Sequence, residues 1–359
     1  MDRAFSHKAV DTMGAWVDSL FLSLPKILTP FKAKRNIDAT IYEKQMDYYF
    51  TQGFVDHPET FFQFPETIPA YEMISERAYA DGKSQLFQFQ SDYDPRNPFV
   101  REQYLSYANN RIGYFVRWTH GDPVKGDLGR QTVLCLHGYM LGEPKQAEKM
   151  FKVLTLYEMG LDVVLFITPF HWKRSPAAPS QRGIFLQPDD VVMTCECMGQ
   201  AMFDLYATTQ ILGRLGAGRI GIIGASLGGY TAALFTSLTN VMAFTAMMVP
   251  AVNFSKPFSP DSARLPFHAS PSLAKKMNQI WQLHSPLNFV PRISKENILI
   301  IASHGDKLCP FEYVVALCEK WAWPRHHFMT GGHWLVLNPR ERGSAWYSFL
   351  ADMHFIDKQ

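Results

Sequence analysis

The sequence lacks a charge imbalance. Its 359 residues carry 35 Lys and Arg against 33 Asp and Glu, a net charge of +2. The basic footprint that holds nucleic-acid phosphates is missing, and no nucleic-acid partner is expected. Cysteine is scarce: Cys135, Cys195, Cys197, Cys309 and Cys318 form an odd set with no CxxC pair. Cys195 and Cys197 stand too close for an ordinary disulfide and have no second ligand pair for zinc. Five reduced thiols are expected, which suits a cytoplasmic protein. There is no internal repeat and no HExxH, and His326, His327 and His333 come without an accompanying carboxylate pattern, so neither metal nor cofactor is expected. A signal peptide is not expected, because Asp11 and Asp18 interrupt any apolar h-region and no clean cleavage site follows.

What is present is apolar material. Apolar residues make up 47% and charged ones 19%, which excludes general disorder. The run from Ile220 to Ser255 carries no charge and is long enough to span a membrane. Gly224, Gly228, Gly229, Asn240 and Pro250 interrupt it, so a buried strand–helix–strand unit is expected instead. Residues 20–35 are apolar with a basic end at Lys32, Lys34 and Arg35. They read either as a helix packed on the domain or as a weak peripheral membrane contact.

Residues 1–80 read as a helical N-terminal extension broken by prolines, and 81–359 as one α/β domain. Residues 84–91 and 111–118 alternate apolar with polar, as half-buried strands near a sheet edge do. From Gln131 onward, apolar strands at 132–136, 162–167, 219–224, 241–249 and 297–303 alternate with helical stretches near 143–158, 189–213, 228–239 and 310–321. That alternation predicts a mainly parallel central sheet with helices on both faces. Residues 250–295 break the rhythm with Pro, Ser and Phe, and read as a lid-like insertion or a surface excursion.

The strongest chemical signal is Gly224-Ala225-Ser226-Leu227-Gly228, a G-x-S-x-G pattern. The pattern alone arises by chance, so its surroundings decide. An apolar strand precedes it and a helical stretch follows. In such a strand–turn–helix elbow the serine takes a strained backbone, and its neighbours two positions away must be nearly free of side chain. Gly216-x-Gly218-x-x-Gly221 matches a dinucleotide fingerprint, but it leaves a helix and enters a strand, the reverse of what that motif requires.

With Leu136-His137-Gly138-Tyr139, His304-Gly305-Asp306 and Gly331-Gly332-His333 following in order around Ser226, the sequence resembles the α/β-hydrolase superfamily of serine hydrolases over roughly residues 80–355. The resemblance implies the α/β-hydrolase fold. It implies Ser226 as nucleophile, His333 as base and Asp306 as acid, acting on a carboxylic ester through an acyl-enzyme. A thioesterase, peptidase or acyltransferase with the same triad remains open, as does an inactive binding module. The oxyanion hole would take the N–H of Leu227 and one from Tyr139 or Met140. Asp352, Asp357 and Glu341 are the rival acids; His326 and His327 are the rival bases. Where the family often has small residues after the 162–167 strand, this chain has Phe170, His171 and Trp172. Together with His137, Gly138 and Met140, Phe170 and Trp172 are expected at the substrate. An apolar acyl pocket would follow if Phe254, Phe258, Phe267, Trp281 and Leu283 of the insertion also line it.

Overall fold

The structure, a computed structural model, describes residues 10–15, 18, 38–121, 129–177, 185–187, 190–255, 270–334 and 339–358. The 20–35 segment, Phe258, Phe267, and Asp189 at the start of the expected helix lie outside them.

Among the described residues the strands are β1 (Tyr71–Tyr79), β2 (Gly82–Gln90), β3 (Ile112–Thr119), β4 (Arg130–Leu136), β5 (Asp162–Ile167), β6 (Ala217–Ala225), β7 (Phe244–Met248), β8 (Ile298–Ser303) and β9 (Arg325–Met329), in the order β1-β2-β3-β5-β4-β6-β7-β8-β9. The first three pairings are antiparallel and the remaining five parallel. The helices are α1 (Ala39–Thr51), α2 (Pro98–Leu105), α3 (Pro144–Met150), α4 (Val153–Glu158), α5 (Val191–Arg214), α6 (Leu227–Leu238), α7 (Pro271–Leu283), α8 (Phe311–Lys320) and α9 (Pro339–Asp352).

The strand period of two divides the core into two layers. Leu134, Leu136, Val164, Phe166, Ile222 and Ile300 face a cluster with α1, α5, α6, α7 and α8. Val133, Cys135, Val163, Leu165, Ile223 and Ile301 face the opposite cluster with α3, α4 and α9. The uncharged run holds most of β6 and the whole of α6 and β7, packed as one unit. Among the described residues no helix is long and apolar enough to cross a membrane.

One expectation changes. The sheet includes residues 71–79, placed by sequence in the helical extension, and the boundary at 80 falls inside the Ala80-Asp81 turn joining β1 to β2. β1 is an edge strand exposed along most of its length, so it has no apolar alternation to read. The 250–295 insertion contains a packed helix, α7, capped by Ser270, whose side chain accepts from Leu273 N. Its buried Leu273, Met277, Ile280 and Trp281 recur at helical spacing. Lys276 bridges to Glu43 and Asp47 on α1, at 2.8 and 2.6 Å.

β4 has β5 on one side and β6 on the other, so successive connections leave it in opposite directions. The crevice beyond the C-terminal ends of such strands is where open α/β sheets bind ligands. The 137–142 loop leaves β4 there, and Ser226 leaves β6 beside it.

Candidate functional site

Ser226 sits between β6 and α6 at φ 54° and ψ −116°. This positive φ costs energy for a residue with a Cβ, and three hydrogen bonds hold it. Ser226 N donates to Met248 O at 2.9 Å, and Ser226 O accepts from Tyr230 N and Ala251 N, both at 3.1 Å. The flanking glycines are steric necessities. A Cβ on Gly224 would lie 2.1 Å from Gly228 O, and one on Gly228 would lie 2.0 Å from Leu136 O. Leu227 opens α6, so its N–H has no carbonyl partner within the helix.

Asp306 and His333 are joined by a 2.8 Å contact between Oδ2 and Nδ1, and both are buried. The other carboxylate oxygen, Oδ1, accepts from Leu308 N at 2.9 Å and Cys309 N at 2.7 Å, so the carboxylate cannot turn away. Burial alone would lower the His333 pKa. The hydrogen bonds to Asp306 and Cys309, with their charges, outweigh it and raise the value to about 10.

The rival acids and bases stand elsewhere. Asp352 is bonded to Arg325 at 2.8 Å and Lys358 at 3.4 Å, and Asp357 is exposed. His326 and His327, on β9, line a groove of about 660 Å³ with Glu341 and Trp323.

Two acids and a thiol unforeseen in the sequence complete the arrangement. Asp18 is fully buried and its carboxylate accepts from His333 N at 2.8 and 3.0 Å and from Lys307 N at 3.0 Å, tying the two loops together. Asp11 accepts from Gly331 N at 2.8 Å. The only sequence signal was that these two acids break an apolar stretch. Cys309 is the second surprise. Its Sγ lies 3.9 Å from Ser226 Oγ and within 4.8 Å of a His333 ring nitrogen, so one thiol stands close to both side chains. Ligand atoms of Asp306, Cys309 and His333 lie within 4.8 Å of one another.

The 137–142 loop is braced by two neutral histidines. His137 Nε2 accepts from Thr168 N at 3.2 Å, and its Nδ1 faces Gly138 O at 2.9 Å. His171 reciprocates from the loop after β5, its Nε2 accepting from Met140 N at 3.2 Å and its Nδ1 facing Pro169 O at 2.8 Å. Burial pulls their pKa values down to about 4 and about 3. His137 is thus a brace with both ring nitrogens engaged, not a substrate contact.

Other expected pocket residues also turn out to be packing. Phe170 is buried against Tyr104 and Tyr107, with ring centroids at 5.6 and 5.3 Å. Trp172 packs near Tyr114 on the opposite face of the sheet. Trp281 and Leu283 are core, and Phe254 lies against Tyr230 and Trp281. Aromatic bulk after β5 and in the insertion serves the core here. Gly138 remains beside Ser226, where a Cβ on it would meet Ser226 Cβ at 3.6 Å, and Tyr139 follows it in the loop. The exposed large apolar side chains near the triad are instead Met140 (59%), Leu308 (37%) and Trp334 (55%).

The architecture has known counterparts. Acetyl xylan esterase 1 from Thermoanaerobacterium sp. JW/SL YS485 superposes with a TM-score of 0.58 and 14% identity, over 87% of this chain and 98% of that one. The acetyl xylan esterase from Paenibacillus sp. R4 gives 0.55 and 14%, over 86% and 98%. The chain has the α/β-hydrolase fold. No protein-family model matches it. In sequence, an uncharacterized protein of Mycobacterium tuberculosis (strain CDC 1551 / Oshkosh) is 26% identical over 294 residues, 80% of this chain and 68% of that protein. A second, from strain ATCC 25618 / H37Rv, matches to the same extent. On this α/β-hydrolase frame, Ser226 follows β6, Asp306 follows β8 and His333 follows β9.

Proposed function

We propose that the chain is a serine hydrolase that cleaves a carboxylic ester through an acyl-enzyme. One observation carries it: one sheet places a serine at φ 54° on the strand–helix elbow after β6 and, after β9, a buried imidazole bonded at 2.8 Å to a buried carboxylate.

In this mechanism His333 takes the Ser226 hydroxyl proton as Oγ attacks the ester carbonyl carbon. Asp306 holds the imidazole by Nδ1, leaving Nε2 for the proton, and stabilises the imidazolium that forms. The developing oxyanion accepts from Leu227 N–H and from Tyr139 N–H. Met140 is the poorer candidate because its N–H already donates to His171. His333 then returns the proton to the departing alkoxide. Water, deprotonated by the same base, releases the acyl group and regenerates Ser226.

Met140, Leu308 and Trp334 favour an apolar acyl or alcohol group at the mouth of the site, because each follows a site residue closely and stays exposed. The fold neighbours are acetyl xylan esterases, so acetate belongs in any substrate series. Each buried methylene is worth about 0.8 kcal/mol, so two added acyl carbons should raise kcat/KM roughly tenfold until the pocket fills. A p-nitrophenyl series from acetate to octanoate measures this, and a steady fall from acetate upward would reject the apolar pocket. A fluorophosphonate probe tests the chemistry itself. Ser226→Ala should abolish labelling and ester hydrolysis with the fold intact; labelling that survives would overturn the assignment.

A further inference from the structure

We propose that Cys309 and His333 form the core of an inhibitory site for a thiophilic divalent cation such as Zn²⁺, with Asp306 behind the imidazole and Ser226 as a further donor. The donor set supports this. Cys309 and His333 offer sulfur and nitrogen ligand atoms within 4.8 Å of each other, with an Asp306 carboxylate oxygen inside the same distance, all on buried residues. Zinc takes this mixture readily, at about 2.3 Å to sulfur and 2.0–2.2 Å to nitrogen and oxygen.

The orientation of the imidazole is favourable as well. A zinc-bound histidine commonly gives its second ring nitrogen to a carboxylate, which fixes the tautomer and strengthens the ligating nitrogen. Asp306 already holds His333 Nδ1 at 2.8 Å, and is itself fixed by Leu308 N and Cys309 N. The metal would therefore meet Nε2. Ser226 Oγ stands 3.9 Å from Cys309 Sγ. A tetrahedral zinc separates its sulfur and oxygen ligands by about 3.5 Å, so a shift of a few tenths of an ångström brings the pair to coordinating distance.

On binding, the thiol proton leaves to solvent, Cys309 Sγ and His333 Nε2 replace two water ligands of the cation, and no redox step occurs. Occupation removes the lone pair that would accept the Ser226 proton, so the hydrolase stops. The site depends on the proposed function only for that last readout.

The test uses the full chain and two measurements. First, Zn²⁺ is titrated against hydrolysis of a p-nitrophenyl ester and against fluorophosphonate labelling, with EDTA reversal, for the native chain, Cys309→Ser and Cys309→Ala. Each variant is scaled to its own metal-free rate. Loss of the thiol should raise the half-inhibiting Zn²⁺ concentration about tenfold or more. Second, Co²⁺ is added as a spectroscopic substitute. The native chain should show thiolate-to-cobalt charge-transfer absorption that both variants lose. A native chain that shows this absorption but neither labels nor hydrolyses esters would reject the hydrolase function and support the metal site. Unchanged Zn²⁺ sensitivity in both variants, or no thiolate absorption in a native chain that labels normally, would overturn the metal site.

Discussion

At the scale of single residues, Asp306 and Asp18 share a region but do different work. Asp306 sets the basicity of His333. In the proposed mechanism the base acts unprotonated, and His333 is held well above an ordinary imidazole, to about 10, so kcat/KM should rise with pH on the alkaline side of neutrality. Asp306→Asn removes a bond that raises that value. Its pH–rate profile should move to lower pH while the maximal rate falls about a thousandfold or more. Asp352→Asn breaks exposed ion pairs and should leave the rate within about twofold. An unmoved profile in Asp306→Asn, or a collapse in Asp352→Asn, would reassign the acid. Asp18 touches no reacting atom; it accepts backbone N–H groups on both loops. Asp18→Ala leaves those donors buried without their partner, at about 1–3 kcal/mol each, and should lower both the melting temperature and kcat. A variant that loses stability but keeps native kcat would show that the two loops need no tie. The elbow at Ser226 and the Asp306–His333 contact were foreseeable because each of these residues lies in a short local motif. Asp18 was not, because 315 residues separate it from His333.

At the scale of elements, the long helix α5 shows how polar residues enter a core. Glu196, Gln200 and Asp204 recur every fourth residue along an otherwise buried helix. Glu196 accepts from Tyr49 OH, Tyr93 OH, Arg96 N and Asn97 N. Gln200 meets Tyr104, Asn110 and Ser91, and Asp204 meets Ser91 and Arg174. Burial still raises the Glu196 and Asp204 pKa values despite these bonds. The seam fastens the 91–110 segment, and through Arg174 it fixes the loop that carries His171. Arg174 donates to Ile167 O and Asn110 O, and Asn110 accepts from Phe170 N. Asp204→Ala would strand a fully buried guanidinium, and should cost roughly 3–5 kcal/mol of stability in a urea titration. A loss under about 1 kcal/mol would mean that Arg174 finds another partner or reaches water. The helix was legible from its apolar length. The seam was not, because its partners come from segments far away in the chain.

At the scale of the whole molecule, three buried histidines govern the acid limit. His137, His171 and His284 have pKa values lowered by burial to about 4, about 3 and about 3, against 6.5 for a free imidazole. Below pH 6.5 the unfolded chain binds these protons and the folded chain does not, so each lowered value costs stability as pH falls toward it, on the order of 3 kcal/mol once traversed. His333 acts in the opposite direction: its stabilisation is complete below pH 6.5 and is lost as pH rises through about 10. The melting temperature should therefore drop between pH 6 and pH 4, and His284→Gln should flatten that drop. A flat profile from pH 7 to pH 4 would mean that these rings protonate without unfolding. The parallel strands of the sheet were readable from their apolar runs, whereas β1 was not, because an exposed edge imposes no pattern on its side chains.

The tie made by Asp18 also bears on when the molecule becomes competent. A ribosome adding about 5–20 residues per second makes Asp18 long before His333, with 315 residues of chain between them. Competence therefore arrives only after β8 and β9 have been added and the two loops have closed on a carboxylate made tens of seconds earlier. A molecule of this build stays silent until β9 and the loop after it have been made.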